Sequence, residues 1–244
     1  MHEKIRGIVL RSLKYGDKGL IVDLFTESHG RRSFMTSVSR GKTTTGLIWA
    51  PLNMVEFEAD LHATKKLPRP KDVYIYNVYR NMRFSPLKSS LSMFLADFLN
   101  SALREEEQNV PLYIYIETSL RWLDEAEEKC RSNSLANFHL VFLMRLTRFL
   151  GIYPNVDDYS ENSFFDMCSS CFCVSKPYHP HFLSPSEASF LPKLLRMNYD
   201  TMHLFRFSRA QRQYMLEMFN VYYRIHLPSF PELKSLQVLR ELFD

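Results

Sequence analysis

The sequence predicts an α+β, multidomain chain, with a small β-barrel over residues 1–82 and an all-helical domain over residues 83–244. Three observations lead there. Short apolar runs separated by turn residues fill the first part, helical periodicity sets in only near residue 86, and the charge divides at the same place. Residues 1–85 hold 15 Lys and Arg against 8 Asp and Glu, while residues 86–244 hold 16 against 19, so net +7 precedes net −3. A basic β-half ahead of a mildly acidic helical half suits a polyanion-binding head on a scaffold.

Residues 5–13, 20–27 and 31–38 read as three strands, because β-branched and aromatic residues dominate them. Tyr15-Gly16-Asp17 and His29-Gly30 supply the turns between them. The fourth run, 54–61, alternates: Val55, Phe57 and Ala59 take one face, and Glu56, Glu58 and Asp60 take the other. Residues 73–78 make a fifth strand. Five short strands with no intervening helix fit a Greek-key barrel of the OB type, whose loops border a groove for single-stranded nucleic acid.

The carboxylate face of the fourth strand would repel phosphate and is expected to be ordinary solvated surface. The cations stand in the connections instead. Arg31 and Arg32 follow a turn, Arg40 and Lys42 lie in the polar stretch 39–46, and Lys65, Lys66, Arg69 and Lys71 occupy a proline-containing segment. These eight are the candidate DNA-binding residues, with merely solvated loops as the competing reading. Among the aromatic residues Tyr15, Phe25, Phe34, Trp49 and Phe57, alternation assigns Phe57 to the core. Tyr15 and Trp49 are the candidates for stacking on bases.

Ser85-Pro86 opens the first helix, a capping hydroxyl followed by proline at the first helical position. Leu87, Leu91, Phe94, Leu95 and Phe98 then repeat at helical spacing. Pro111 opens a second helix. A third, about 134–150, is apolar nearly all round, as a buried central helix would be, and stops at Gly151 with Pro154 beyond. Ser184 to Glu187 and Ser208 to Gln211 match the capping-box pattern. A last helix is expected over about 231–243, and the Cys-containing insertion 152–183 reads as irregular.

Enzyme chemistry is not announced. The chain has no Walker A loop, no G-x-S-x-G and no H-E-x-x-H, and only 7 glycines with which to cradle a nucleotide. Cys168 and Cys171 form half of a zinc site, with Cys173, His179 and His181 as further weak candidates. Structural zinc takes four ligands, commonly as two pairs. Here the second cysteine pair is missing, and the proline in His179-Pro180-His181 restricts how the two imidazoles converge. The expectation is no cofactor, no metal and no catalysis. The opening Met1 to Arg6 lacks the apolar stretch of a secretory signal, and no apolar run approaches the roughly 20 residues of a membrane span. Crowded cysteines are not a secreted disulfide framework either, so a cytoplasmic protein without a membrane partner is expected.

Several stretches resemble the RecO family of bacterial recombination mediators. Gly7-Ile8-Val9-Leu10, Tyr15-Gly16-Asp17, Ile21 to Glu27 and His29-Gly30 are similar to its opening, and Ser39-Arg40-Gly41-Lys42 with Leu47 and Pro51 to its next element. Phe149-Leu150-Gly151-Ile152-Tyr153-Pro154 resembles the end of its central helix, and Tyr222 to Leu227 with Leu233 to Leu236 its C-terminal signature. The resemblance spans nearly the whole chain in order and implies an N-terminal OB fold before a helical domain. It implies binding of single- and double-stranded DNA without sequence preference, and annealing of complementary strands. It also implies partnership with RecR, engagement of the acidic tail of single-stranded DNA-binding protein, and loading of RecA, all at the bacterial nucleoid. Many members carry a four-cysteine zinc site near Cys168, which is incomplete here. Arg145 and Arg148, among Leu140, Val141, Met144 and Phe149, are the candidates for the tail. A helical adaptor with an acidic protein partner, or an RNA-binding OB module, are the alternatives.

Overall fold

The computed structural model describes residues 2–37, 47–61, 67–104, 106–126, 135–233 and 235–236. Two compact units divide the chain: Met1–Glu125 with Leu233–Leu239, and Ala126–Glu232 with Arg240–Asp244.

In the first unit, β1 (Glu3–Tyr15), β2 (Gly19–Thr26), β3 (Gly30–Ser37), β4 (Met54–Ala59) and β5 (Lys71–Asn77) form an antiparallel sheet of order β3-β2-β1-β4-β5. The long β1 serves both halves of the sheet. Its first part pairs with β4 and its second with β2, and a bulge between Val9 and Arg11 separates the two registers. A bulge bends and twists a strand, which is how one strand turns a barrel corner. The edges approach where Met35 N–H donates to Pro68 C=O at 2.9 Å. At the β1–β2 hairpin Gly16 has φ +64°, and a Cβ on Gly19 would lie 2.2 Å from the Tyr15 carbonyl oxygen, so both positions require glycine. This is the OB-type barrel of an α+β chain.

Alternation places Ile5, Val22, Phe34, Val55, Phe57 and Ala59 inside. Trp49 joins them at 2% exposed, its ring 6.4 Å from that of Phe57. Its carbonyl accepts from Ser12 Oγ at 2.5 Å. The expectation that Trp49 stacks on bases is therefore corrected: burying an indole in the barrel core removes both of its faces from any ligand.

Two helices complete this unit, α1 (Pro86–Ala102) and α2 (Val110–Glu125). Ser85 Oγ accepts the Lys88 N–H at 3.2 Å, with Pro86 at the first turn as the sequence predicts. Near the end of α2, the Asp124 carboxylate accepts the backbone N–H groups of Arg80, Asn81 and Met82 at 2.9, 2.8 and 2.7 Å. The chain leaving β5 is thus fastened to α2 before α1 begins.

The second unit is built on α3 (Phe138–Phe149), which follows a 3-10 turn over Leu135–Asn137. It is buried on almost every side and ends at Gly151 with φ +70°. Around it stand α4 (Pro185–Ala188), α5 (Phe190–Arg196) and α6 (Arg209–His226). Ser208 and Gln211 exchange the expected capping-box bonds, Gln211 N–H to Ser208 Oγ at 3.2 Å and Ser208 N–H to Gln211 Oε1 at 2.8 Å. Tyr223 OH on α6 reaches the Leu143 carbonyl of α3 at 2.8 Å. The insertion expected to be irregular contains a small antiparallel sheet of order β7-β6-β8, from β6 (Phe164–Asp166), β7 (Cys171–Cys173) and β8 (Phe182–Leu183). Phe165 and Phe172, edge to face at 5.1 Å, fill its buried side. Most of the helix expected over 231–243 lies outside the described residues. Among the described residues, no helix is long and apolar enough to cross a membrane.

Candidate nucleic-acid interface

Arg31 does not belong to a phosphate track. Its Nη1 donates to the carbonyls of Asn100 and Leu103 at 2.7 and 2.8 Å, and its Nη2 to Asp23 Oδ2 and Asn100 Oδ1 at 2.9 and 3.0 Å. Carbonyls at a helix C-terminus lack intrahelical partners, so the guanidinium caps α1. This corrects the sequence expectation: four of the five guanidinium N–H donors are taken by protein oxygens, which leaves little for phosphate. Asp23 is the other half of the device. It accepts from Arg11 Nε at 2.6 Å and Ser33 Oγ at 2.5 Å as well. Burial pushes its pKa up, but the Ser33, Arg31 and Arg11 hydrogen bonds outweigh this and hold it below the ordinary 3.8.

Arg32 lies near the start of β3 and pairs with Glu106 at 3.0 Å on the surface. An exposed pair of this kind is weak and salt-labile. Arg40, Lys42, Lys65 and Lys66 lie outside the described residues. Arg69 and Lys71 are both exposed.

Arg69 borders a groove of about 290 Å³ lined by Lys18, Gly19, Met35, Thr36, Ser37, Arg69 and Pro70. Three elements make it: the start of β2, the end of β3 and the approach to β5. Tyr15 stands at the neighbouring hairpin tip, 58% exposed, between the exposed Lys14 and Lys18. Sequence reasoning missed these two lysines. The signal was present, since they flank the Tyr15-Gly16-Asp17 turn, and a hairpin tip projects its side chains into solvent. Only the tertiary structure shows that Lys18 and Arg69, 51 positions apart in the chain, border one groove.

The carboxylates of β4 split. Glu58 is exposed as expected, but Glu56 is 2% exposed, which corrects the reading of a uniformly solvated face. Lys4 Nζ approaches Glu56 Oε1 at 2.5 Å, Arg6 Nε reaches Oε2 at 2.7 Å, and Tyr74 OH donates to Oε1. The cover is made of flexible, half-exposed arms, so Glu56 is shielded by neighbours rather than sunk in the core. The Lys4 and Arg6 hydrogen bonds hold its pKa below the ordinary 4.5.

In the second unit Arg145 and Arg148 are exposed, one turn apart on α3. Arg148 donates to Tyr153 OH at 2.8 Å, with its guanidinium 4.4 Å from the ring centroid. Leu140, Val141 and Met144, expected to form an apolar pocket beside them, point into the interior instead. Phe149, the fourth residue of that expected pocket and one turn beyond Arg145, is half-buried, so it alone of the four keeps apolar surface near the arginines. Of the cysteines, Cys168 is exposed and Cys171 and Cys173 are half-buried. The His179 and His181 ring centroids stand 6.3 Å apart, and His179 Nε2 contacts Asp166 Oδ1 at 3.2 Å.

Comparisons with known proteins agree over the whole chain. Residues 1–79 match the family described as Recombination protein O N terminal, and residues 83–237 match Recombination protein O C terminal. Similar proteins include the DNA repair protein RecO of Phocaeicola vulgatus, 51% identical over 246 residues and covering 100% of both chains. The same-named proteins of Bacteroides fragilis and Flavobacterium psychrophilum are 47% and 33% identical, again with 100% of both chains covered.

Proposed function

The chain belongs to the RecO family of DNA repair proteins, and on that premise we propose that its barrel groove holds the DNA backbone. The observation that carries this reading is the convergence of Lys18 and Arg69 on one groove, with Lys14, Tyr15 and Lys71 around it. Ammonium and guanidinium groups there would contact phosphates, while the phenol of Tyr15 offers a flat face to any base. Neither contact reads base identity. Single and double strands would both bind, and two strands whose charge is neutralised while their base edges stay free would anneal. Arg40, Lys42, Lys65 and Lys66, which belong to the segments adjoining the groove in sequence, would extend the cationic surface.

The family supports the wider role: RecA loaded onto single strands coated by single-stranded DNA-binding protein, with RecR as partner, in the bacterial cytoplasm at the nucleoid. Arg145 and Arg148 would attract the acidic tail of that coating protein. No step in this reading makes or breaks a covalent bond.

Fluorescence anisotropy with a labelled single strand, titrated across salt, tests the groove. If the four described cations Lys14, Lys18, Arg69 and Lys71 plus one from the adjoining segments engage, log Kd against log salt should have a slope of magnitude roughly 3–4. The double substitution Lys18→Glu with Arg69→Glu should reduce that slope by at least about 1.4. A flat salt response, or an unchanged slope in the double variant, would overturn the groove. Binding of an acidic peptide with no binding of DNA would favour the adaptor reading. Charge reversal at Arg145 and Arg148 should weaken tail-peptide binding, and unchanged affinity would remove these arginines from the reading.

A further inference from the structure

We propose that Glu106, in the loop joining α1 to α2, is a built-in competitor for DNA phosphate that holds Arg32 of β3 in reserve. The inference rests on the reading that the barrel groove binds the DNA backbone. Arg32 Nη1 donates to Glu106 Oε2 at 3.0 Å, and the two side chains are 40% and 74% exposed. Both residues belong to the first unit. A carboxylate offers a guanidinium the same kind of anionic oxygen that a phosphate does, so the two acceptors compete for one cation.

Arg31 and Arg32 are neighbours in the chain, yet they are held in different ways. Arg31 gives four donors to oxygens of its own unit, and its side chain is 16% exposed. Arg32 pairs with Glu106, while its Nε is buried with no acceptor among the described residues. An unmet buried donor is unfavourable, so turning the guanidinium off Glu106 toward an outer anion would relieve it. A pair between two solvated arms is weak enough to be exchanged. Arg31 is therefore fixed, and Arg32 is available.

Arg32 stands on the same strand as Thr36, which lines the groove, roughly 13 Å from it along β3. A DNA strand leaving the groove in that direction would meet Arg32 and then the carboxylates of the α1–α2 loop. Glu106 and Glu107 are both exposed, and Glu105 precedes them in the sequence. With Arg32 neutralised, this loop repels phosphate and ends the cationic track. The pair thereby sets a ceiling on affinity. A protein that pairs two strands must also let the product go, and one phosphate contact withheld shortens the bound lifetime. Neutralising Glu106 would free Arg32 and lengthen the track by one phosphate.

The test is a double-mutant cycle in the full chain, read by the anisotropy of a labelled single strand across salt. Glu106→Gln should steepen the plot of log Kd against log salt by about 0.7 and tighten binding about five-fold at about 0.1 M salt. Arg32→Ala should leave the slope of the unaltered chain where it was, but should erase both gains when added to Glu106→Gln. Glu107→Gln removes an equal charge without freeing Arg32 and should leave the slope unchanged. Far-ultraviolet circular dichroism verifies the fold of each variant. If Lys18→Glu with Arg69→Glu reduces the slope while Glu106→Gln does not raise it, the groove stands and the competitor is overturned. The competitor is equally overturned if Arg32→Ala lowers the slope as much in the unaltered chain as beside Glu106→Gln. A chain that binds no DNA, or binds it indifferently to Lys18 and Arg69, overturns the groove and the competitor together.

Discussion

Three side chains that look alike in the sequence, as polar or aromatic groups in a basic β-half, have three different roles. Arg31 is a helix cap, so Arg31→Ala should lower stability by about 2–3 kcal/mol in urea unfolding while leaving the salt slope of DNA binding intact. Trp49 is core. Trp49→Ala should cost about 3–5 kcal/mol of stability, since a large cavity would open beside Phe57. Tyr15 is exposed at a hairpin tip, and Tyr15→Ala should change stability by no more than about 0.5 kcal/mol. The same change should weaken single-strand binding by about 1–3 kcal/mol if the phenol stacks. Residue type alone separates none of these, because Arg and Trp serve caps, cores and ligands equally well. Neighbours decide, and the partners of Arg31 on α1 and at its C-terminal end lie 69 to 72 positions away.

At the scale of elements, the cross-strand pairs of β1 make the barrel sensitive to acid. Asp23 on β2 and Glu56 on β4 both have folded pKa values below their ordinary 3.8 and 4.5. The stability each contributes is present above the ordinary value and disappears as pH falls toward the lower, folded value. Urea midpoints should therefore hold steady down to about pH 5 and fall steadily below about pH 4.5. Glu56→Gln should flatten part of that fall, and a midpoint independent of pH between 5 and 3 would contradict the paired geometry. The strands themselves were legible from turn residues and alternation. Alternation also put Glu56 outside, correctly, but a two-residue period says nothing about arms reaching over from the next strand. Helix starts were legible for the same local reason: Ser85-Pro86 and Ser208 to Gln211 satisfy their own first turns. The sheet of β6, β7 and β8 was not legible, because strands of two or three residues are too short to show a period.

For the whole molecule, the sequence families part between residues 79 and 83, whereas compactness parts the chain after Glu125. The reason lies in α1 and α2. Arg31 caps the first, and Asp124 of the second holds the backbone of residues 80–82. A fragment of residues 1–125 should accordingly melt cooperatively and well above a fragment of residues 1–82, as calorimetry of the two would show; equal melting temperatures would mean that the barrel does not depend on these helices. The α+β class, the order of strands and helices, the family and the basic character of the front half can all be read from the residues in order. All of these are encoded in local periodicity, turn chemistry and composition. Which cations face solvent, which aromatic ring is core, and that Lys18 and Arg69 border one groove emerge only once the chain is packed. Those outcomes depend on contacts between residues far apart in the chain, where side-chain reach and burial, rather than residue type, settle what each group can touch.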